Sequence, residues 1–171
     1  EERVMNERFP REKVYLAMIS LFAGDPRRIQ HFTKVHSYAA LIGKMEQLPE
    51  TEQEILELAA LVHDIGIKPG EEKFGRSDGK IQEQEGPAVA RELLTKEGIS
   101  EDITERICYL VGHHHTYDGI DGADYQILVE ADFLVNLYEE TASEHAIRQA
   151  KERIFKTKSG IRLLEEIFKI A

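Results

Sequence analysis

An all-α fold is predicted for this chain, and three observations predict it. Apolar residues recur at helical spacing through almost every segment. Capping and breaking residues punctuate those segments where helices should start and stop. No run alternates polar and apolar residues as a half-buried strand requires. Pro10 opens a first helix whose apolar positions are Val14, Leu16, Ile19 and Phe22, closed by Gly24. Asp25-Pro26 is a start signal, an N-cap acid followed by a proline at the first helical position, for a helix through His31 to about Met45. Thr51-Glu52-Gln53-Glu54 reads as a capping box ahead of the apolar run Ile55 to Val62.

Residues 66–80 contain four Gly and one Pro and are predicted as the longest loop, beside whatever site the chain builds. A helix follows from about Ile81 to Glu97 and stops at Gly98. Ser100 caps the next, with Ile103, Ile107, Leu110 and Val111 leading to His113. A polar turn over Thr116 to Ala123 precedes a strongly apolar helix from about Asp124 to Glu140, on which Glu130 is placed at the surface. Two amphipathic pieces, near Glu144–Phe155 and Ser159–Ile170, complete the chain. The basic segment from Lys156 to Gly160 reads as a capping turn with Ser159.

The 171 residues suit one domain with a sizeable core, and 42% hydrophobic against 32% charged residues is a globular balance. A net charge of −10 argues against broad nucleic-acid binding, which needs a basic surface, while a small anion held through a metal stays compatible with it. The lone Cys108 allows no internal disulfide and reads as a small buried hydrophobe. No apolar run reaches membrane-spanning length and no signal peptide is recognisable, so a cytoplasmic location without membrane contact is the expectation.

The most informative residues are His63-Asp64, which close the apolar run. A carboxylate desolvated at the buried end of a helix needs a cation or several donors. A bound metal is the simplest partner; the alternative is that Asp64 only orients His63. His31 shares a helical face with Val35 and Ala39 and points toward the core, as a ligand or as a hydrogen-bonded core histidine. His36 lies off that stripe and reads as structural or exposed. Asp132 sits in the apolar stretch Leu128 to Val135 and, if buried, needs a strong partner. His113-His114-His115 ends a helix, where imidazoles also suit the negative end of the dipole. Imidazole and carboxylate without thiolate suit Fe, Mn, Ni, Co or Zn, with Mg for a carboxylate-rich site.

Together these motifs resemble the HD superfamily of metal-dependent phosphohydrolases. His31, Val35 and Ala39 match the family's H-x-x-x-V-x-x-x-A helix; Ala59 to Gly66 carries the HDIG form; Asp132 matches the last Asp. The resemblance implies a single helical-bundle domain over residues 1–171, with a motif region of about 25–140 and further helices over 143–171. It implies one divalent metal on His31, His63, Asp64 and Asp132. In the two-metal version, Gln84 to Ala88 resembles the segment of an added ligand and places Glu85 there. His113 to Gly119 resembles the H-H-x-x-x-D-G stretch of HD-GYP phosphodiesterases and the matching segment of diadenosine tetraphosphatases, which makes His113 and His114 second-metal ligands. Ile67 stands where the family often has a Lys directly after HDIG, with Lys68 one place later, and the GYP triplet is absent.

The implied activity is hydrolysis of a small phosphate ester or nucleotide by metal-activated water, with one or two ions. Asp64 would bridge ions and orient water, and Glu85 would serve as base if one metal binds. Lys68, Lys73, Arg76, Lys80, Arg27 and Lys34 are the cations available for phosphate, each weighed against a solvated surface role. Two other readings follow from the same resemblance: a regulatory module that binds metal or nucleotide without turnover, and a diiron oxygenase.

Overall fold

A computed structural model describes residues 11–171, and among them the only regular elements are nine helices: α1 (Arg11–Leu21), α2 (Pro26–Met45), α3 (Glu50–Val62), α4 (Ile67–Phe74), α5 (Gly79–Lys96), α6 (Glu101–Val111), α7 (Ala123–Glu139), α8 (Glu144–Arg153) and α9 (Lys158–Phe168). None among the described residues is long and apolar enough to cross a membrane. Pro10 lies outside the described residues.

The centre of the bundle is α3. Every residue from Ile55 to Val62 is buried, and a helix apolar on all sides is stable only when surrounded. It packs on α1, α2, α6 and α7, while α5 pairs with α6. The single acid in that run, Glu57, accepts from Arg11 (3.0 Å), Gln53 (3.0 Å) and His36 (3.2 Å). Burial works against its charge, but those partners hold its carboxyl below the usual range. His36 is thus a half-buried structural partner of Glu57.

Several expectations are corrected. On α1 the buried face is Val14, Met18 and Phe22, one turn apart, whereas Leu16 is 64% and Ile19 36% exposed. The capping box does not form: α3 begins at Glu50 after Pro49, and Glu54 turns to Arg11 (2.6 Å) instead of back to its own helix. The predicted loop over 66–80 contains α4. Its Pro69 falls in the first turn, where a missing N–H costs nothing, and Gly75 (φ 68°) ends it in the left-handed conformation. Burial of Gly70 against Ile81 and Arg76 explains the glycine inside it. Thr157, not Ser159, caps α9; the Ser159 hydroxyl donates to Glu46 across the bundle (2.6 Å). Glu130 is fully buried rather than at the surface.

Gly66 is required by close approach. A Cβ there would lie 2.6 Å from the Gln82 carbonyl oxygen and 2.8 Å from the Gly86 nitrogen, both backbone atoms of α5. We expect Gly66→Ala to push α5 away from the end of α3, at a cost of about 1–3 kcal/mol. A lowered melting temperature would show it; an unchanged one would contradict the contact.

Candidate metal centre

The bundle gathers side chains from three helices around the C-terminal end of α3. His31 comes from the second turn of α2, His63 and Asp64 from the residues just after α3, and Asp132 from the middle of α7. All four are buried. His31 Nε2 lies 3.0 Å from Asp64 Oδ2, 3.2 Å from Asp132 Oδ1 and 3.3 Å from His63 Nε2. His63 Nε2 is 3.3 Å from each of the same two oxygens. Edges of 3.0–3.3 Å suit a shell with bonds of about 2 Å, the length that imidazole and carboxylate make to a divalent transition ion.

Asp132 Oδ1 tests the fit. It is buried among these nitrogens and makes no hydrogen bond. An orphaned carboxylate oxygen is costly unless a cation occupies the space it faces. The donor set therefore fits a metal ion.

The surrounding bonds aim the rings. As α3 ends, its last carbonyls lose their helical partners. His63 Nδ1–H takes one, donating to Ala60 O (2.7 Å), which leaves Nε2 as the inward donor. His114 repeats the device at the end of α6, its Nδ1–H on Val111 O (2.8 Å). His31 Nδ1 faces both oxygens of Glu139 at 3.3 Å, and Lys34 Nζ holds that carboxylate at 3.0 Å. A carboxylate behind a ligand imidazole fixes its tautomer and raises its basicity. Glu139→Gln is expected to weaken metal binding about 10–100-fold by calorimetry; an unchanged affinity would reduce Glu139 to a surface partner of Lys34.

A second group adjoins the first through Asp64. Its Oδ1 is 3.0 Å from His114 Nε2 and 3.8 Å from His115 Nε2, so one carboxylate spans both groups. His115 also reaches Gln82 Oε1 (3.0 Å), and burial brings its ring down to about 4.

His113 and Glu85 stand outside both groups. His113 Nδ1–H donates to Tyr109 O (2.7 Å), and its ring stacks on Tyr109 at 4.0 Å. Arg106 adds a cation over the Tyr109 ring (5.0 Å) and is anchored by Asp121 and Asp124. Around Asp64 the structure gathers His114 and His115, whereas the sequence suggests His113 and His114. Glu85 pairs with Lys73 (3.1 Å). Lys68 donates to Leu21 O (2.5 Å), closing the end of α1. Glu139, Asn136 and Arg28 are the residues that sequence reasoning misses. Asn136 and Glu139 lie four and seven residues after Asp132, so a polar stripe on the apolar helix α7 is the signal that points to them.

With no ion bound, burial works against a charge on His31, but Asp132 and Asp64 outweigh it and lift the ring to about 9. The same exchange raises His63 and, burial notwithstanding, pulls Asp64 and Asp132 well down. An entering ion must displace the His31 proton. Metal affinity is thus expected to fall as pH drops and to rise with pH until that proton is gone. Titration in buffers of different ionisation enthalpy should show proton release near neutrality; a flat affinity from about pH 5 to 8 would contradict imidazole ligation.

A helical bundle with a buried histidine–aspartate cluster at its core defines the class: an α-helical protein whose core could hold a divalent metal. Residues 28–169 match the HD domain family, and the chain belongs to that family. No curated protein matches it. Among solved structures it is similar to a predicted HD superfamily hydrolase from an uncultured Thermotogales bacterium. That likeness has a TM-score of 0.66 at 23% identity and covers 92% of this chain and 84% of the other. It is a likeness of fold.

Proposed function

We propose that this protein is a metal-dependent phosphohydrolase acting on a small phosphate ester or nucleotide. The observation that carries the reading is the orphaned Asp132 Oδ1, set among His31, His63 and Asp64 at ligand spacing. A divalent ion held there would polarise a phosphoryl oxygen and lower the pKa of a water molecule. The chain's own part is positional. Ala60 O and Glu139 set the rings of His63 and His31, and Asp64 presents its two oxygens to separate groups of histidines. His114 and His115 with Asp64 are the natural holders of a second ion. In the reaction a water oxygen bonds to phosphorus, the ester P–O bond breaks, and the departing oxygen leaves as the alcohol with a proton from that water.

Metal analysis of the purified protein tests the reading, followed by assays of nitrophenyl phosphates and nucleotides with Mn, Co, Fe, Ni, Zn and Mg. Inactivity with every ion would overturn it. A binding module without turnover is the second reading. The engagement of Lys68 and Glu85 favours it, since each is spent on another partner. A nucleotide that raises the melting temperature without being consumed would identify that module.

A further inference from the structure

We propose that Arg27 and Arg28 form an anion subsite that takes the dianionic phosphate of a phosphomonoester and delivers it to the cluster, with Glu71 as the internal carboxylate it displaces. This deepens the phosphohydrolase reading and rests on it. The carrying observation is a cleft of about 470 Å³ whose wall combines His31 and Asp64 with both arginines and Asn136. One cavity thus joins two cluster ligands to two guanidinium groups.

The geometry separates the two arginines. Arg27 is exposed and, among the described residues, has no ion pair. Arg28 is one turn before His31 on α2, so its stem rises on the same face. Its guanidinium is held in a fork by both oxygens of Glu71 on α4, with Asp25 3.4 Å away. A planar fork that accepts a carboxylate in this way accepts a phosphate equally well. Ile67, the first residue of α4, also lines the cleft, so the Arg28–Glu71 pair joins two of the helices bordering it, α2 and α4. The pair is substantially exposed and its strength in water is small, which lets a doubly charged ligand compete.

Two guanidinium groups beside a divalent centre match the two charges of a monoester. A diester carries one charge and a second organic arm. The subsite therefore discriminates in favour of terminal phosphate, and Asn136 supplies a neutral hydrogen-bonding group beside it.

Calorimetric titration with orthophosphate, methyl phosphate and dimethyl phosphate tests this, on metal-loaded and on chelator-treated protein. Methyl phosphate is expected to bind at least about tenfold more tightly than dimethyl phosphate. Arg28→Ala is expected to weaken orthophosphate and methyl phosphate about tenfold or more with metal content unchanged, and Arg27→Ala to weaken them less. Glu71→Gln, which frees Arg28, is expected to strengthen both several-fold, roughly the gain of an unopposed charge-assisted pair. Arg162→Ala, on the far helix α9, serves as a charge control and should change nothing. Equal affinity for the two esters, or an Arg28→Ala protein that binds like the parent, would overturn the subsite. A Glu71→Gln protein weakened like Arg28→Ala would make the pair a brace and overturn the displacement. If metal fails to bind while phosphate affinity still depends on Arg28, the metal reading falls and the subsite stands. If metal binds and phosphate affinity is independent of Arg28, the subsite falls and the metal reading stands.

Discussion

Asp64→Asn empties both halves of the centre in the expected result, because Asp64 is the one residue common to them. Its Oδ2 faces His31 and His63, and its Oδ1 faces His114 and His115. Replacing one oxygen by an amide removes the charge from both groups and leaves an NH2 directed at imidazole nitrogens. Partners behind a ligand are worth about 10–100-fold in affinity, so loss of the shared ligand should exceed about a hundredfold. Metal analysis after gel filtration would then find the variant without stoichiometric ion. His115→Ala separates the halves: it should keep an ion on His31, His63 and Asp132 and lose a second one. His113→Ala should keep both, because its ring is stacked on Tyr109 and turned from Asp64. Stoichiometric metal in Asp64→Asn, or loss of metal in His113→Ala with retention in His115→Ala, would contradict this arrangement.

The contrast between His113 and His115 shows where sequence reasoning stops. Inside a helix each residue advances about 100°, and that rule places His31 over Val35 and Ala39 and buries Asp132 among its apolar neighbours. It also marks Ile55 to Val62 as an apolar run, and the structure buries every residue of it, Glu57 included. The family motif adds that His31, His63, Asp64 and Asp132 converge. Past Val111 the chain leaves the helix, the rotation per residue is no longer fixed, and three consecutive histidines can be assigned only by what each ring touches. Tyr109 claims the first and Asp64 the second. The same limit hides α4. Pro69 and Gly70 have poor helix propensity, and packing on α5 overrides it. Glu130 escapes for a related reason. A carboxylate on an apolar helix is assigned to solvent by its own sequence, whereas all its partners but Gln126 lie 26 and 27 residues away.

Those partners make Glu130 the residue outside the metal centre whose loss should cost most. Its carboxylate accepts from the backbone N–H groups of Lys156 and Thr157 (3.1 Å each), from Thr157 Oγ1 (2.6 Å) and from Gln126 Nε2 (2.6 Å). The entry to α9 is thereby closed by an acid from α7, which takes the N–H groups of Lys156 and Thr157, while Thr157 Oγ1 takes that of Gly160. The basic segment Lys156 to Gly160 is for this reason an internal joint. Gly160 completes it, since a Cβ at that position would sit 1.8 Å from Glu130 Oε1. Glu130→Ala would strand several buried donors and open a cavity between α7 and α9, for about 3–5 kcal/mol. For a chain of this size that corresponds to a fall in melting temperature of roughly 6–20 °C. Gly160→Ala should reach a similar loss from the other side of the joint. Glu130→Gln should fall between the parent and Glu130→Ala, because it keeps the volume and one acceptor but turns an NH2 toward existing donors. Metal content should remain stoichiometric in all three folded variants, as Glu130 belongs to neither group of ligands. A Glu130→Ala protein melting within about 2 °C of the parent would mean that the joint contributes little and that α9 is held by its apolar face alone.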